Sequence, residues 1–325
     1  MVAMRTHRED TELQQAACAT LGHMSTNNAD DGAKAVNAGA VEAVVAAMYT
    51  HREDAVLQYA AFATLVHMTT DNADNMAKAE NVSTVEAVVA AMHTLRNDAE
   101  LQQAACHMLG RMTTDYADSR AKAGNAGAVE AVATAMSTHR EDAEPQHVAC
   151  NTLGHMITDI AINKARVGNA GAIEAVLAAM QGHIDHTELQ RTACILLSRM
   201  TTKNADNTAK AGNAGAVKAA MAAMQGHREN AELQHAACST LGRMTTDNAA
   251  NRAKAGNAGA VEAVVAAMRT HREDAELQQV ACQKRNPGRE CGRRRRCRGC
   301  AVQAFRNLCV ASVRVCARLL LHLRN

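Results

Sequence analysis

Histidine and arginine recur at one position of this sequence at intervals of 44 residues. Guanidinium groups bind carboxylates and phosphates through paired hydrogen bonds, and imidazoles add positive charge when they are protonated. Side chains of these types, once aligned on one surface, would attract an acidic partner. The recurring position holds His23, His67, Arg111, His155, Arg199 and Arg243.

Catalysis and metal binding find little support in the residue pattern. The sequence has no glycine-rich phosphate loop, no HExxH and no nucleophile elbow. Cys18 and His23 are not a catalytic pair, because their spacing places them about 140° apart around a helix. Cys297 and Cys300 lack the second close pair that a structural zinc site needs. We therefore predict no enzymatic activity, cofactor, metal or small-molecule substrate.

Cysteine follows the same period, which argues against a disulfide framework. Neighbouring helices lie about 8–10 Å apart, whereas a disulfide needs Cα atoms within about 7 Å of each other. We predict buried, free thiols and an intracellular, cytoplasmic setting, with the nucleus as the alternative. The series is Cys18, Cys106, Cys150, Cys194, Cys238 and Cys282, with Phe62 in the second copy.

The elements that position these residues are predicted to be three helices in each copy. In the last copy, a short helix around 251–255 ends at Gly256, and a second helix runs over about 259–268. A third helix follows Asp274, which is predicted to be its N-cap. The equivalent caps are Asp10, Asp54, Asp98, Asp142, His186 and Asn230.

The third helix is predicted to bury one side and expose the other. At about 100° per residue, Leu13, Ala17, Leu21 and Met24 share a side, which we predict to be the core. The positions equivalent to 15, 19 and 23 lie opposite. Ten of their eighteen residues are His or Arg and none is acidic, which distinguishes them from the rest of residues 1–282. The candidate partner-binding residues there are His23, Tyr59, His67, His107, Arg111, His147, His155, Arg191, Arg199, His235 and Arg243. The alternative is a solvated face whose basic residues were copied by duplication.

Charge separates a repeat body from a basic tail. Residues 283–325 hold twelve Lys or Arg and one acid, a net charge of +11. Residues 1–282 then hold 23 basic and 32 acidic residues, a net charge of −9. Arg293, Arg294, Arg295 and Arg296 are typical of a nuclear-targeting or nucleic-acid-binding patch. Because the 44-residue register ends after Cys282, a frameshifted extension is the alternative interpretation of the tail.

The repeat resembles the armadillo family. The resemblance lies in the first helix that ends in glycine, the Gly-Ala-Val-Glu-Ala-Val start of the second helix, and the Leu-Gln-x-Ala-Ala-Cys-x-x-Leu-Gly-x-Met third helix. It covers residues 1–282 and implies an all-α, armadillo-like α-solenoid, a right-handed superhelix of three-helix repeats of 44 residues. It also implies that the basic side of the third helices lines a concave groove. Residues 283–325 would be a non-repeat tail, either disordered or helical.

The sequence departs from the family's best-known readers of nuclear localisation signals. Those members resemble one another in a Trp and Asn ladder that holds a basic peptide, but this chain has no Trp. Its positions equivalent to the Asn ladder are basic, so a basic peptide is disfavoured. We therefore predict a non-enzymatic protein-binding scaffold for an acidic or extended segment. The alternative is nucleic-acid association through the tail, and contact with a membrane surface is not favoured.

Overall fold

The structure is a computed structural model that describes residues 1–26, 28–70, 72–80, 83–114 and 117–282. All the regular secondary structure in these ranges is helical. The predicted basic tail, with Arg293, Arg294, Arg295 and Arg296, lies outside the described residues.

The described residues confirm the prediction of an armadillo-like repeat of three helices. The first helices are α3 (Ala29–Asn37), α6 (Ala73–Glu80), α9 (Ala117–Asn125), α12 (Ala161–Asn169), α15 (Ala205–Ala214) and α18 (Ala249–Asn257). The second helices are α1 (Val2–Thr6), α4 (Ala40–Thr50), α7 (Thr84–Thr94), α10 (Ala128–Thr138), α13 (Ala172–Gly182), α16 (Ala216–Gly226) and α19 (Ala260–Thr270). The third helices are α2 (Thr11–Ser25), α5 (Ala55–Thr69), α8 (Ala99–Thr113), α11 (Ala143–Met156), α14 (Thr187–Thr201), α17 (Ala231–Thr245) and α20 (Ala275–Cys282).

Side-chain caps begin the third helices, as the sequence predicts. Asp54 accepts a hydrogen bond from the backbone N–H of Leu57 at 2.7 Å, and the other caps follow this pattern. In α14 the imidazole ring of His186 is the N-cap, because its Nδ1 accepts a hydrogen bond from Leu189 N at 3.1 Å. Pro145 has no N–H to donate, so Asp142 accepts from the preceding Glu144 at 3.2 Å.

The step from first to second helix depends on one left-handed residue. Gly39, Gly127, Gly171, Gly215 and Gly259 all have positive φ, between 72° and 100°. Glycine adopts this region without the penalty that a Cβ atom brings. Ser83 takes the place of glycine in the second copy and still has φ 45°. The sharp turn is therefore retained in every copy.

The core consists of the apolar sides of the second and third helices. In α5, Leu57, Ala61, Leu65 and Met68 are all buried, which confirms the predicted core side of the third helix. The first copy differs, because Met24 is 56% exposed, and the prediction was wrong there. The reason is that α2 packs against α5 on one flank only, whereas each internal third helix of a stack has neighbours on two flanks.

The described residues divide into two compact units. The first unit is Met1–Gly182, and the second begins at His183. Within the first unit, α2, α5, α8 and α11 pack in succession, and within the second unit α14, α17 and α20 do the same. The assignment of residues 1–282 to a single repeat domain stays a prediction.

A buried glutamine closes the end of the second helices. The last carbonyl groups of a helix have no partner inside the helix. Gln58 is fully buried and donates from Nε2 to the carbonyls of Met48 (2.8 Å) and His51 (3.0 Å). The glutamines that donate in the same way to both carbonyls are Gln14, Gln102, Gln146, Gln234 and Gln278.

Within each unit, histidine and asparagine side chains join neighbouring copies. His51 Nε2 donates to the carbonyl of Arg8 at 2.7 Å, and the rings of His139, His227 and His271 make the equivalent bond. Asn251 Nδ2 donates to Thr208 O in the preceding copy at 3.0 Å and to Met244 O at 3.1 Å. These bonds fix the register of successive copies because each has a backbone carbonyl as its acceptor.

The glutamine closure gives a first prediction. Replacing Gln234 by Met keeps the size of the side chain but leaves the carbonyls of Met224 and His227 without their donor. We expect the free energy of unfolding to fall by about 2 kcal/mol, since buried acceptors lose their hydrogen bonds. Chemical denaturation followed by circular dichroism measures it. The control Gln225→Met changes an exposed glutamine of α16 and should leave the stability nearly unchanged.

Replacing either of two glycines of the second unit by alanine gives a second prediction, in which the free energy of unfolding changes in opposite directions. A Cβ atom at Gly212 would lie 1.8 Å from Asn251 Oδ1, whereas nothing lies within 4 Å of one at Gly242. Asn251 is 1% exposed and its amide is already engaged, so it has little room to move. We expect Gly212→Ala to lower the free energy of unfolding by about 1–3 kcal/mol. Gly242→Ala should raise it by about 0.5–1 kcal/mol, because alanine favours the helix. Equal effects in the two variants would contradict the close approach at Gly212.

Candidate functional site

The predicted binding residues lie on the exposed side of the third helices. We call this side the third-helix face and define it by the positions equivalent to 15, 19 and 23. None of its eighteen residues is buried. The face comprises Gln15, Ala19 and His23; Tyr59, Ala63 and His67; Gln103, His107 and Arg111; His147, Asn151 and His155; Arg191, Ile195 and Arg199; and His235, Ser239 and Arg243.

In the first unit, the basic side chains gather at the carboxyl ends of the third helices. His23 and His67 are exposed, and His155 is partly exposed. Arg111 is also partly exposed, and its Nη2 donates to Thr70 Oγ1 of the preceding copy at 3.0 Å. The guanidinium group of Arg111 is therefore oriented along the stack, towards the neighbouring third helix.

The remaining candidates of the first unit lie nearer the middle and amino ends of the helices. Tyr59 is 54% exposed and His107 is exposed. His147 Nε2 lies 3.2 Å from Asn151 Nδ2, and its Nδ1 lies 3.8 Å from a carboxylate oxygen of Glu144. The ring of His147 thus has an acidic neighbour on its own helix.

In the second unit, one arginine is engaged by two carboxylates. Arg191 bonds Glu188 Oε2 through Nη2 at 2.7 Å and lies 3.6 Å from Glu232 Oε2 of the next third helix. His235 is partly exposed, whereas Arg199 and Arg243 are exposed. The side chain of Arg243 makes no ion pair or hydrogen bond with any described residue. Arg191 is therefore locally neutralised, and Arg243 retains its charge.

An acidic row that sequence reasoning missed borders the face. A glutamate occupies the first turn of most third helices, one turn before the position equivalent to 15. Eleven residues separate it from the basic position, which is about 16 Å along a helix. Acidic residues at the amino end of a helix and basic residues at its carboxyl end both interact favourably with the helix dipole. The signal was present in the repeated Asp-Ala-Glu-Leu-Gln segment. The row is Glu12, Glu100, Glu144, Glu188, Glu232 and Glu276.

The basic residues that recur in all six of these helices lie at one end of the face. We call the residues at that end the basic row. In the first unit it is His23, His67, Arg111 and His155, and in the second unit it is Arg199 and Arg243. Within each unit, a chain lying across the carboxyl ends of these third helices would meet one member of the row at each of them.

The repeat cysteines lie behind the face, in the core. Cys18, Cys106, Cys150, Cys194 and Cys238 are free and buried, which confirms the prediction for these five. Burial raises the pKa of each thiol to about 12, because a thiolate would lose its hydration. Among the described residues, no three His, Cys, Asp or Glu side chains converge as metal ligands. No helix in the described ranges combines the length and apolarity required to cross a bilayer.

Comparisons with known proteins agree on the repeat. Residues 80–286 match the sequence model of a family described as the LRRK2 ARM repeat. No curated protein matches the sequence. An engineered protein solved by the Northeast Structural Genomics Consortium is 20% identical at a TM-score of 0.71, with 84% of this chain and 64% of that chain covered. The chain therefore spans less than two thirds of that structure.

Two further structures share the fold. A second engineered protein from the same consortium is 22% identical at a TM-score of 0.62, with 73% of this chain and 94% of that chain covered. A chain from a structure concerned with a phosphorylation switch in the interaction between cadherin and β-catenin is 16% identical at a TM-score of 0.50. That match covers 82% of this chain and 56% of the other. Identities this low show the fold alone.

The buried thiols give a third prediction. In the native protein we expect Cys106 and Cys150 to be alkylated at least about tenfold more slowly than after denaturation, since burial withholds both access and the reactive thiolate. Mass spectrometry of the separate tryptic peptides measures each site against the same site in denaturant. Fast labelling of either thiol in the folded chain, or a disulfide between them, would contradict the packing.

Proposed function

Because the chain belongs to the armadillo repeat family, we propose that it is a non-enzymatic scaffold that binds an acidic, extended segment of another protein. The armadillo fold commonly serves as a protein-binding scaffold and typically has no enzymatic activity. The observation that carries the choice of partner is the basic row, whose six members are all at least partly accessible to solvent. Guanidinium groups bind carboxylates in fixed, paired geometry, so an acidic side chain is a suitable ligand at Arg111, Arg199 and Arg243.

The stacking of the repeats supports an extended ligand. Equivalent positions of neighbouring third helices lie about 8–10 Å apart, which an extended chain spans with about three residues. A segment that crosses the basic row would therefore place one acidic side chain near each helix. A compact ligand would reach fewer members of the row, and each exposed pair contributes only about 0–1 kcal/mol.

The acidic row would attract a basic segment instead, but ion pairs within the protein reduce its negative charge. Glu188 and Glu232 both approach Arg191 within the second unit, so part of their charge is already compensated. Arg243, by contrast, makes no ion pair with any described residue. Arg243 is therefore an uncompensated positive charge on the third-helix face of the second unit, which favours an acidic segment over a basic one.

The basic tail supports a second candidate function. Its net charge of +11 suits nucleic acid, which attracts cationic segments irrespective of sequence. A chain ending at Cys282 separates the two proposals. If the face binds the partner, the shortened chain keeps its affinity for an acidic peptide. If the tail is the functional part, the shortened chain loses its affinity for nucleic acid and has none for the peptide.

The face gives a fourth prediction. We expect Arg111→Ala/Arg199→Ala/Arg243→Ala to weaken binding of an acidic peptide by about tenfold, because three solvent-accessible charges are removed together. Added salt should weaken the wild type more than the variant, since screening acts on the charges that the variant lacks. Fluorescence anisotropy of a labelled glutamate-rich peptide measures both effects.

The matched control removes the same charge elsewhere. Arg8→Ala/Arg96→Ala/Arg228→Ala alters three exposed arginines in turns between second and third helices, and it should bind the peptide like the wild type. Equal binding by the two triple variants would contradict the proposal, because the basic row would then be a consequence of duplication.

A further inference from the structure

The second copy differs from the others in its aromatic residues. Among the described residues, the aromatic side chains are Tyr49, Tyr59 and Phe62, and all three lie in α4 and α5. Phe62 takes the cysteine position and is 1% exposed. Tyr49 is partly exposed, with Cζ of Arg52 5.3 Å from its ring centre. Tyr59 is 54% exposed and is therefore the accessible aromatic side chain of the third-helix face.

A second exposed apolar side chain lies beside Tyr59. Val56 precedes it by three residues in α5 and is 66% exposed, and residues three apart on a helix are neighbours. The other copies carry glutamate at the position of Val56, and Gln15 and Gln103 hold the position of Tyr59 in α2 and α8. Exposed apolar residues that occur singly are normal, whereas these two form a pair that replaces two polar side chains.

The same side of α5 continues from this pair towards the basic row. Ala63 and His67 follow Tyr59 by one and two turns, which is about 6 and 12 Å along the helix. Ala63 is partly exposed and its side chain is a single methyl group, so it leaves room for the backbone of a bound segment. His67 is exposed at the carboxyl end. One helix therefore presents an apolar pair, a low middle and a basic residue in succession.

The neighbouring helix α8 brings a guanidinium group to the carboxyl end of α5. Arg111 Nη2 donates to Oγ1 of Thr70, the residue that follows α5, at 3.0 Å. Thr70 comes three residues after His67, so the bond holds the guanidinium group at the end of the helix where His67 is exposed. Nη1 of Arg111 makes no hydrogen bond with a described residue and is not among the buried donors. It is therefore available to a carboxylate of a ligand.

The acids around this surface lie at its other end. Glu12 and Glu100 are exposed in the first turns of α2 and α8, on the two helices that flank α5. The helix α5 itself contains no Asp or Glu, because Val56 takes that position. Asp54, its N-cap, accepts a hydrogen bond from Gln15 Nε2 of α2 at 3.0 Å. An acidic segment that crosses α5 therefore meets an apolar surface where the other third helices present a carboxylate.

We propose that Val56 and Tyr59 form an apolar anchor site for the acidic segment, which carries an aromatic or large aliphatic side chain between its acidic residues. This inference rests on the proposed function, since it adds a second kind of contact to the same partner. Successive side chains of an extended chain point to opposite sides. A segment that crosses α5 above Ala63 therefore directs its acidic side chains towards the basic row and the intervening apolar side chain towards the anchor site.

A protein segment suits the anchor site better than single-stranded nucleic acid does. Proteins that bind single strands stack successive bases on several aromatic side chains. On the third-helix face, Tyr59 is the one aromatic among the eighteen residues, and its neighbour Val56 is aliphatic. The exposed Glu12 and Glu100 at this end would repel a phosphate backbone. Tyrosine is also enriched among the residues that contribute most to binding between proteins.

The fifth prediction replaces the anchor site by polar residues without a change of charge. Val56→Gln/Tyr59→Gln should weaken binding of the labelled peptide Glu-Ser-Glu-Phe-Glu-Ser-Glu by about five- to tenfold, because the phenylalanine loses its apolar contacts. The same peptide with Ser in place of Phe should bind the wild type about five- to tenfold more weakly, and should bind the variant and the wild type alike. Fluorescence anisotropy measures the four affinities.

The matched control changes an exposed apolar residue elsewhere in the first unit. Ile162 is 56% exposed on α12, a first helix, and Ile162→Gln should bind both peptides like the wild type. Glutamine favours a helix at least as well as valine, tyrosine and isoleucine do, and all three positions are exposed. Both variants should therefore keep the melting temperature of the wild type, which separates lost binding from lost folding.

The outcomes distinguish this inference from the proposed function. Wild-type affinity of Val56→Gln/Tyr59→Gln for the Phe peptide, combined with weak binding by the triple arginine variant, would overturn the anchor site and leave the scaffold proposal intact. Equal affinities of the wild type for the Phe and Ser peptides, or an equal loss in Ile162→Gln, would also overturn the anchor site. A wild type that binds the Phe peptide equally well with Gln in place of Glu would overturn both proposals. Displacement of the Phe peptide by single-stranded DNA, with Val56→Gln/Tyr59→Gln losing DNA affinity the more, would assign the site to nucleic acid instead.

Discussion

The repeat depends on the hydrogen bonds of a glutamine near the start of each third helix, which is buried in all but α20. Gln58 joins two elements, because it belongs to the third helix and donates to the last carbonyls of the second. A helix end without such a partner would bury unpaired carbonyl groups, which costs free energy. The glutamine therefore sets the angle between the two helices that make up the core. With that angle repeated in each copy, equivalent side chains align.

Because successive copies are aligned, residues that recur once in each copy lie side by side on one surface. Each copy buries its apolar side only against its neighbours, and the bonds of His51 and Asn251 to backbone carbonyls of the preceding copy hold the register. A residue at the carboxyl end of one third helix then has its equivalents beside it. The basic row is a consequence of this geometry. Its position at the carboxyl ends also suits the helix dipole, so stability and binding favour the same residues there.

Departures from the repeat carry more information about partners than the repeat itself. Duplication alone reproduces a charge in each copy, but it does not explain Lys203 where four of the other copies carry aspartate. The left-handed backbone at Lys203 is retained although lysine suits it less well than aspartate does. The second unit thus differs from the first in charge while sharing its backbone.

The sequence by itself determined the helices, their caps and the core, because these depend on neighbours within one turn or one period. The caps at Asp54 and His186 and the burial of Cys106 were predicted from spacing alone. Only the tertiary structure decided which polar side chains meet across copies: the glutamine closure, the contacts of Arg191 with two glutamates, and the exposure of Met24. The physical reason is distance along the chain. Arg191 and Glu232 are 41 residues apart, so whether their charges meet depends on how two helices pack and not on any local preference.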